Sequence, residues 1–414
     1  MNKKTTLLVL SALTLGALSL QAQTAQPMPN MPTMPKPGDA PAVPAGGIKI
    51  SGHVEAGITF NAGSPNDRQN FGRLFDDRSN EPLLNQFILT AEQTLDANAK
   101  GFDWGFKLQG MVGSDARFIH SLGFLDDRSL IKNRVQPDVV EAYLNTHFAV
   151  DGTAGGVDVK WGKFVTLEGA EVIDSTGNIF YSHTYIFNYG IPFNHTGALA
   201  TIHATKDMDV MLGVTRGVNT SFKDNNNALA FHGGVIWPNL DGGKLNLCFS
   251  THIGAETPRD KTHKRYLNDA VAIYKVSDTL TSTTDLNYIY DDLAKAKGYG
   301  VAQYFVYTID KTMAANFRGE LWRDNNGFYV AQFGNNTDPV RFLRGDTFTS
   351  DPRTVGGGVT TYGALTVGVT WKASDVIVVR PELRYDTSLN NTKPFNDSKH
   401  KNMLTAAVDV TWSF

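Results

Sequence analysis

The sequence predicts an all-β chain: a transmembrane antiparallel up-and-down β-barrel of about 16 strands, with short turns at one rim and long loops at the other. Three observations predict it. From Ile48 to Phe414 the dominant pattern alternates apolar and polar residues with period two, the spacing of strands and not of helices. After the N-terminal segment no run approaches the roughly 20 apolar residues of a helical membrane span, and mean hydropathy is only −0.23. The links between the alternating segments are themselves alternately short and long.

Residues 1–22 read as a secretory signal peptide: Lys3 and Lys4 give the positive start, Leu7 to Leu20 the apolar stretch, and Ala22 a small residue at the cleavage point. Residues 23–47 read as a proline-rich periplasmic linker, because the run from Pro27 to Pro44 favours an extended, semi-rigid spacer with no core of its own. Residues 48–414 form the barrel.

The predicted strands are 48–60, 83–95, 103–113, 137–149, 156–164, 195–206, 208–217, 227–237, 244–254, 266–276, 279–290, 299–309, 313–324, 359–371, 375–387 and 401–414. The last shows the alternation best. Leu404, Ala406, Val408, Val410, Trp412 and Phe414 share one face, and Thr405, Ala407, Asp409, Thr411 and Ser413 the other. A terminal aromatic on the apolar face suits the membrane interface. The links 96–102, 150–155, Asp207, 238–243, 277–278, Asp310 and 372–374 are short, as periplasmic turns are. The other eight, 61–82, 114–136, 165–194, 218–226, 255–265, 291–298, 325–358 and 388–400, are longer. Pro381 falls inside the fifteenth strand, where it removes a ladder donor and calls for a local bulge.

If the apolar face meets lipid, the opposite face lines the interior. Arg380, Glu382 and Arg384 then point inward, as do Arg318 and Glu320 on the thirteenth strand and Lys107 on the third. A charge facing mid-bilayer would cost roughly 2–4 kcal/mol. These six residues are the predicted pore lining. The loop 165–194 carries Glu168, Glu171 and Asp174 together with NIFYSHTYIFNYGIPF, a stretch too apolar to sit in water. Folded inward, it would constrict the channel and set its acidic residues against the basic ones; the alternative is that it caps the outer mouth or packs between subunits.

At this segment the chain resembles the putative beta-barrel porin-2 family of outer-membrane proteins. The residues are Gly162–Lys163–Phe164, Glu168–Gly169–Ala170–Glu171, Asn178, Tyr181–Ser182 and Pro192–Phe193–Asn194–His195–Thr196–Gly197. The resemblance implies a porin-like barrel in the bacterial outer membrane passing small hydrophilic solutes or ions, with outer-membrane lipid as its surroundings and a homotrimer as its assembly. It supplies no established ligand residues.

Other function classes find little support. The 38 basic and 41 acidic residues nearly cancel, so no nucleic-acid partner is indicated. Cys248 is the sole cysteine, which leaves no disulfide framework or thiol metal cluster. The ten histidines show no HExxH or similar spacing, and neither GxSxG nor a phosphate-cradling GxxxxGK[ST] occurs, so no catalytic residue, metal or cofactor is expected. Two alternatives remain: an adhesive barrel with a plugged lumen, and an outer-membrane hydrolase whose best local pair is Ser182–His183.

Overall fold

The computed structural model describes residues 47–96, 99–127, 129–330, 339–345 and 358–414. Residues 1–22, read from the sequence as a signal peptide, and, but for Gly47, residues 23–47, read as a proline-rich linker, lie outside these residues, as does most of the loop 325–358. Sixteen strands close into one barrel in which each pairs antiparallel with its neighbours in sequence and β1 pairs with β16. They are β1 (Lys49–Asn61), β2 (Pro82–Gln93), β3 (Asp103–Gly113), β4 (Gln136–Phe148), β5 (Val157–Val165), β6 (Asn194–Thr205), β7 (Met208–Thr215) and β8 (Ala230–Asn239). There follow β9 (Leu245–Gly254), β10 (Arg265–Lys275), β11 (Leu280–Asp291), β12 (Ala296–Thr308), β13 (Met313–Asp324), β14 (Thr360–Lys372), β15 (Ile377–Ser388) and β16 (Asn402–Ser413). The predicted count holds.

Closure satisfies every ladder edge, which is what lets strands cross a layer without water. The seam is fastened at its end by the last residue: Gly52 N donates to Phe414 O and Phe414 N to Gly52 O, both at 2.9 Å. Period-two alternation places apolar side chains outside. Leu365, Leu383, Leu404, Leu212 and Leu286 stand exposed on the outer face. At the short-turn rim they give way to Phe102, Trp104, Phe148, Trp161, Trp371 and Trp412, and at the opposite rim to Phe60, Tyr288, Tyr299 and Tyr385. Two aromatic girdles around an apolar band are the outer surface of a barrel in a bilayer.

Three local expectations are corrected. Pro381 needs no bulge: the β14–β15 register is the same on both sides of it, and the pairing simply lapses between Gly368↔Glu382 and Trp371↔Val379, while the β16 side is unbroken at Pro381↔Val408. The connection expected to be long at 291–298 is a tight turn at 292–295, because Asp291 pairs with Ala296 and its carboxylate accepts from Ala294 N at 2.8 Å. β8 begins at Ala230 and not at 227, since Asn226 is tied instead to the Ala255 and Thr257 carbonyls.

Among the described residues the interior is filled in its middle and outer reaches chiefly by the loops 62–81, 114–135 and 166–193, with Tyr329, Val330 and Phe395 packed into the same core. The three loops meet around Phe75, whose ring lies 5.9 Å from Phe118, 5.3 Å from Phe187 and 6.0 Å from Phe193. Ion pairs reinforce the packing. Arg73 bridges Asp76 and Asp386 at 2.6 Å each, and Arg117 reaches Asp77 at 2.6 Å.

Candidate channel constriction

Residues 166–193 leave β5 and cross the lumen to the wall formed by β10–β16 before returning as β6. An irregular backbone inside a barrel must find partners for its N–H and C=O groups. The wall charges supply them. Asp269 Oδ1 accepts from Gly169 N at 2.9 Å and Asp285 Oδ2 from Ala170 N at 3.0 Å. Glu320 takes both Tyr185 N and Ile186 N, at 2.9 and 3.0 Å, and so caps the π-helical turn Ile186–Gly190. Glu382 accepts from Tyr181 N at 3.0 Å and Ser182 N at 3.2 Å.

The guanidiniums take the carbonyls. Arg318 donates to Ser182 O at 2.6 Å, and its ion pair with Glu171 is 2.7 Å long. Arg380 donates to Ser175 O and Asn178 O at 2.6 Å while held by Glu55 and Asp409, and Arg384 donates to His183 O while paired with Asp386. Glycines on both sides allow the close approach: a Cβ on Gly57 of β1 would meet the loop's Tyr181 Cζ at 2.5 Å, and one on Gly190 of the loop would meet Asn287 Oδ1 of β11 at 2.3 Å. In the loop, burial pushes the Glu168 carboxyl well above the usual carboxylate range, with Asp269 adding to it. Burial acts upward on Glu171 too, but Arg318 and Thr184 hold it below that range.

Of the nine residues named from the sequence, seven lie beneath the loop or within it, closed off from water. Arg318, Arg380, Arg384 and Glu171 expose 1, 3, 0 and 7% of their side chains, and Glu168, Glu320 and Glu382 are equally buried. Lys107 and Asp174 differ, with 25 and 32% exposed. Asp174 accepts from Gln109 Nε2 at 3.3 Å, and Gln109 is two residues along the same face of β3 as Lys107, which is itself paired with Glu141 at 2.5 Å. Glu92, Lys49 and Asp158 keep comparable exposure towards the short-turn rim. Asp386 shares the inward face of β15 with Arg380, Glu382 and Arg384, as the alternation in the sequence predicts. Sequence reasoning missed the anchoring carboxylates Glu55, Asp269 and Asp285, although each falls on a lumen-facing alternate position, and it missed the inward course of loops 62–81 and 114–135. Ser182 and His183 are buried inside the lumen, where Ser182 Oγ accepts from Arg318 at 2.9 Å; neither faces lipid.

Residues 47–414 match the family model described as "Putative beta-barrel porin-2, OmpL-like". The chain belongs to this family. This porin-2 protein is a porin-like channel of the bacterial outer membrane. No curated protein matches its sequence. Among solved structures it is similar to the outer-membrane channel DcaP of Acinetobacter baumannii, at 10% identity over 89% of this chain and 97% of that one, with TM-score 0.54. OprB of Pseudomonas putida is similar at 14% identity over 89% and 94%, with TM-score 0.57. The trimer form of Vibrio cholerae OmpT, an outer-membrane protein, is similar at 10% identity over 89% and 100%, with TM-score 0.52. At such identities the likeness is one of fold.

Proposed function

We propose that this porin-2 chain passes small hydrophilic solutes and ions by passive diffusion through a lumen narrowed by loop 166–193, with Lys107 and Asp174 as the charges that face the passing solute. One observation carries this reading: the loop is held to the β10–β16 wall by carboxylates and guanidiniums, and the predicted charges left in contact with water lie on and beside β3. Arg318, Glu320, Arg380, Glu382 and Arg384 then act as loop anchors, and their influence on ions is indirect. Fixed charges set preference only where the channel is about as narrow as the roughly 8 Å screening length at physiological salt.

The experiment is planar-bilayer conductance of the purified mature protein with ions and a graded series of sugars. Ion-conducting steps, with a size cut-off among the sugars, support the reading. A folded protein that passes neither ions nor the smallest sugar contradicts it and favours the plugged, adhesive barrel. The trimer form among similar folds supports a homotrimer embedded in outer-membrane lipid, which mass measurement in detergent checks.

A further inference from the structure

Three histidines with no recognisable spacing in the sequence come together on the barrel wall. His232 and His252 are direct cross-strand partners on β8 and β9, and His195 stands on β6. Between β6 and β8, β7 places Gly213 opposite His232, with no side chain to keep the rings apart. The imidazole centroids of His195 and His232 are 4.1 Å apart, and those of His195 and His252 4.8 Å. One nitrogen from each ring can be chosen so that all three lie within 4.8 Å of one another. All three residues are 0% exposed.

The hydrogen bonding around the cluster is incomplete in a particular way. His195 Nδ1 lies 3.3 Å from Gly217 O and His252 Nε2 lies 2.8 Å from Glu256 Oε1, so each of these rings has one nitrogen fixed by an acceptor. A carbonyl or carboxylate behind the ring is the outer contact that orients a metal-ligating imidazole. The other nitrogen of His195, Nε2, lies 3.3 Å from the Thr166 hydroxyl, which a metal there would have to displace. His252 Nδ1 has no hydrogen-bond partner among the described residues. Nor does His232 Nδ1 among the described residues, 3.9 Å from Glu168 Oε1; ligation through it would move the ring proton to Nε2 and displace the Leu167 N–H that now donates there at 3.3 Å, a loop residue next to Glu168. Both oxygens of Glu168 are likewise without a hydrogen-bond partner among the described residues, on a side chain with no exposure. A buried, unpaired Glu168 carboxyl 3.9 Å from an unpaired His232 nitrogen, beside two further imidazoles, is a donor set that a cation would satisfy.

We propose that His195, His232, His252 and Glu168 bind one divalent transition-metal ion of the zinc class. Imidazole nitrogens with one carboxylate select zinc and its first-row neighbours, whereas calcium and magnesium take sets of oxygens. Bonds of about 2.0–2.2 Å require the donors to draw inward from their present spacing. Glu168 can follow because it rides on the loop and not on a strand. The ion would join loop 166–193 to the β6–β9 wall, opposite the β10–β16 wall to which Arg318, Glu320 and Glu382 already fasten it.

The test is to unfold the protein in chelator, refold it with Co2+ or Zn2+, wash it, and measure metal per chain together with the visible spectrum of the cobalt form. Folding is followed separately by heat-modifiable gel migration. The result expected is one equivalent of metal, an intense visible cobalt spectrum of low coordination number, and loss of both in His232→Ala/His252→Ala, with weaker retention in Glu168→Gln. Metal at buffer background in the folded wild type, or full retention in the folded double variant, overturns the proposal. If the double variant does not fold, the wild-type cobalt spectrum decides: intense bands support the site, and the weak absorption of a six-coordinate aqueous ion overturns it.

Discussion

Arg318 on β13 and Glu171 on the inward loop form an ion pair of 2.7 Å, with 1 and 7% of their side chains exposed. It joins wall to loop across a sequence separation of 147 residues. Removing one partner of such a buried pair leaves the other charge stranded, at a cost of about 3–5 kcal/mol. Arg318→Met is therefore expected to lower the temperature of the heat-modifiable transition and to raise single-channel conductance as the loop loosens. Arg318→Met/Glu171→Gln should recover part of the thermal loss. Thermal migration and bilayer recordings on the three proteins check this.

The closing ladder makes the C-terminal residue structural. Phe414 exchanges two backbone hydrogen bonds with Gly52, and its ring stacks 6.3 Å from Phe87. Deleting Phe414 is expected to reduce the yield of folded barrel several-fold more than Ser413→Ala, because the deletion opens the seam and exposes a strand edge to lipid. Folded fractions of the two variants on unheated gels measure the difference.

Much of this barrel was legible in the sequence, and the reason is the narrowness of the constraint. A strand with lipid on one side and polar lumen on the other must alternate, so Leu404 to Phe414 could be assigned face by face, and a one-residue slip would have put Asp409 in lipid. Strand ends were less legible, because Asn226 and Asp291 decide theirs through side-chain bonds to distant or turn backbone. The inward orientation of Arg318, Glu320, Arg380, Glu382 and Arg384 also followed from alternation. What these residues do inside did not. Their partners are backbone groups of Tyr181, Ser182, Ile186 and Asn178, and a backbone N–H or C=O leaves no mark in a residue pattern. The histidine cluster was invisible for a similar reason, since its members come from three different strands.

Topology gives a prediction on intact cells. A tag beside Arg68, whose side chain is 69% exposed in loop 62–81, is expected to be accessible from outside. One beside Asp278, 98% exposed in the turn 276–279, is expected to be protected until the membrane is permeabilised. Antibody labelling before and after permeabilisation checks both.

Glu81 predicts a pH effect outside the membrane-spanning strands. Hydrogen bonds from Arg68, then from Arg78 and Arg134, lower its carboxyl to about 2. A folded-state value below the unfolded one means stabilisation that is present above the ordinary carboxylate range near 4.3 and is lost as pH falls towards about 2. Glu81→Gln is thus expected to make loop 62–81 modestly easier to cleave at pH 7. The difference from wild type should shrink between pH 4 and 2, as read by quenched proteolysis with an acid-active protease and, at neutral pH, trypsin.

The most direct measurement of the account is the zero-current potential across a salt gradient for single-charge variants that fold. Asp174→Asn is expected to shift it towards anions and Lys107→Gln towards cations, both shifts fading at high salt as screening shortens. Glu171→Gln and Arg380→Gln, which alter buried anchors, should change it less than either. Potentials that are unmoved by Asp174→Asn and Lys107→Gln but follow Glu171→Gln and Arg380→Gln would contradict the placement of the water-facing constriction beside β3.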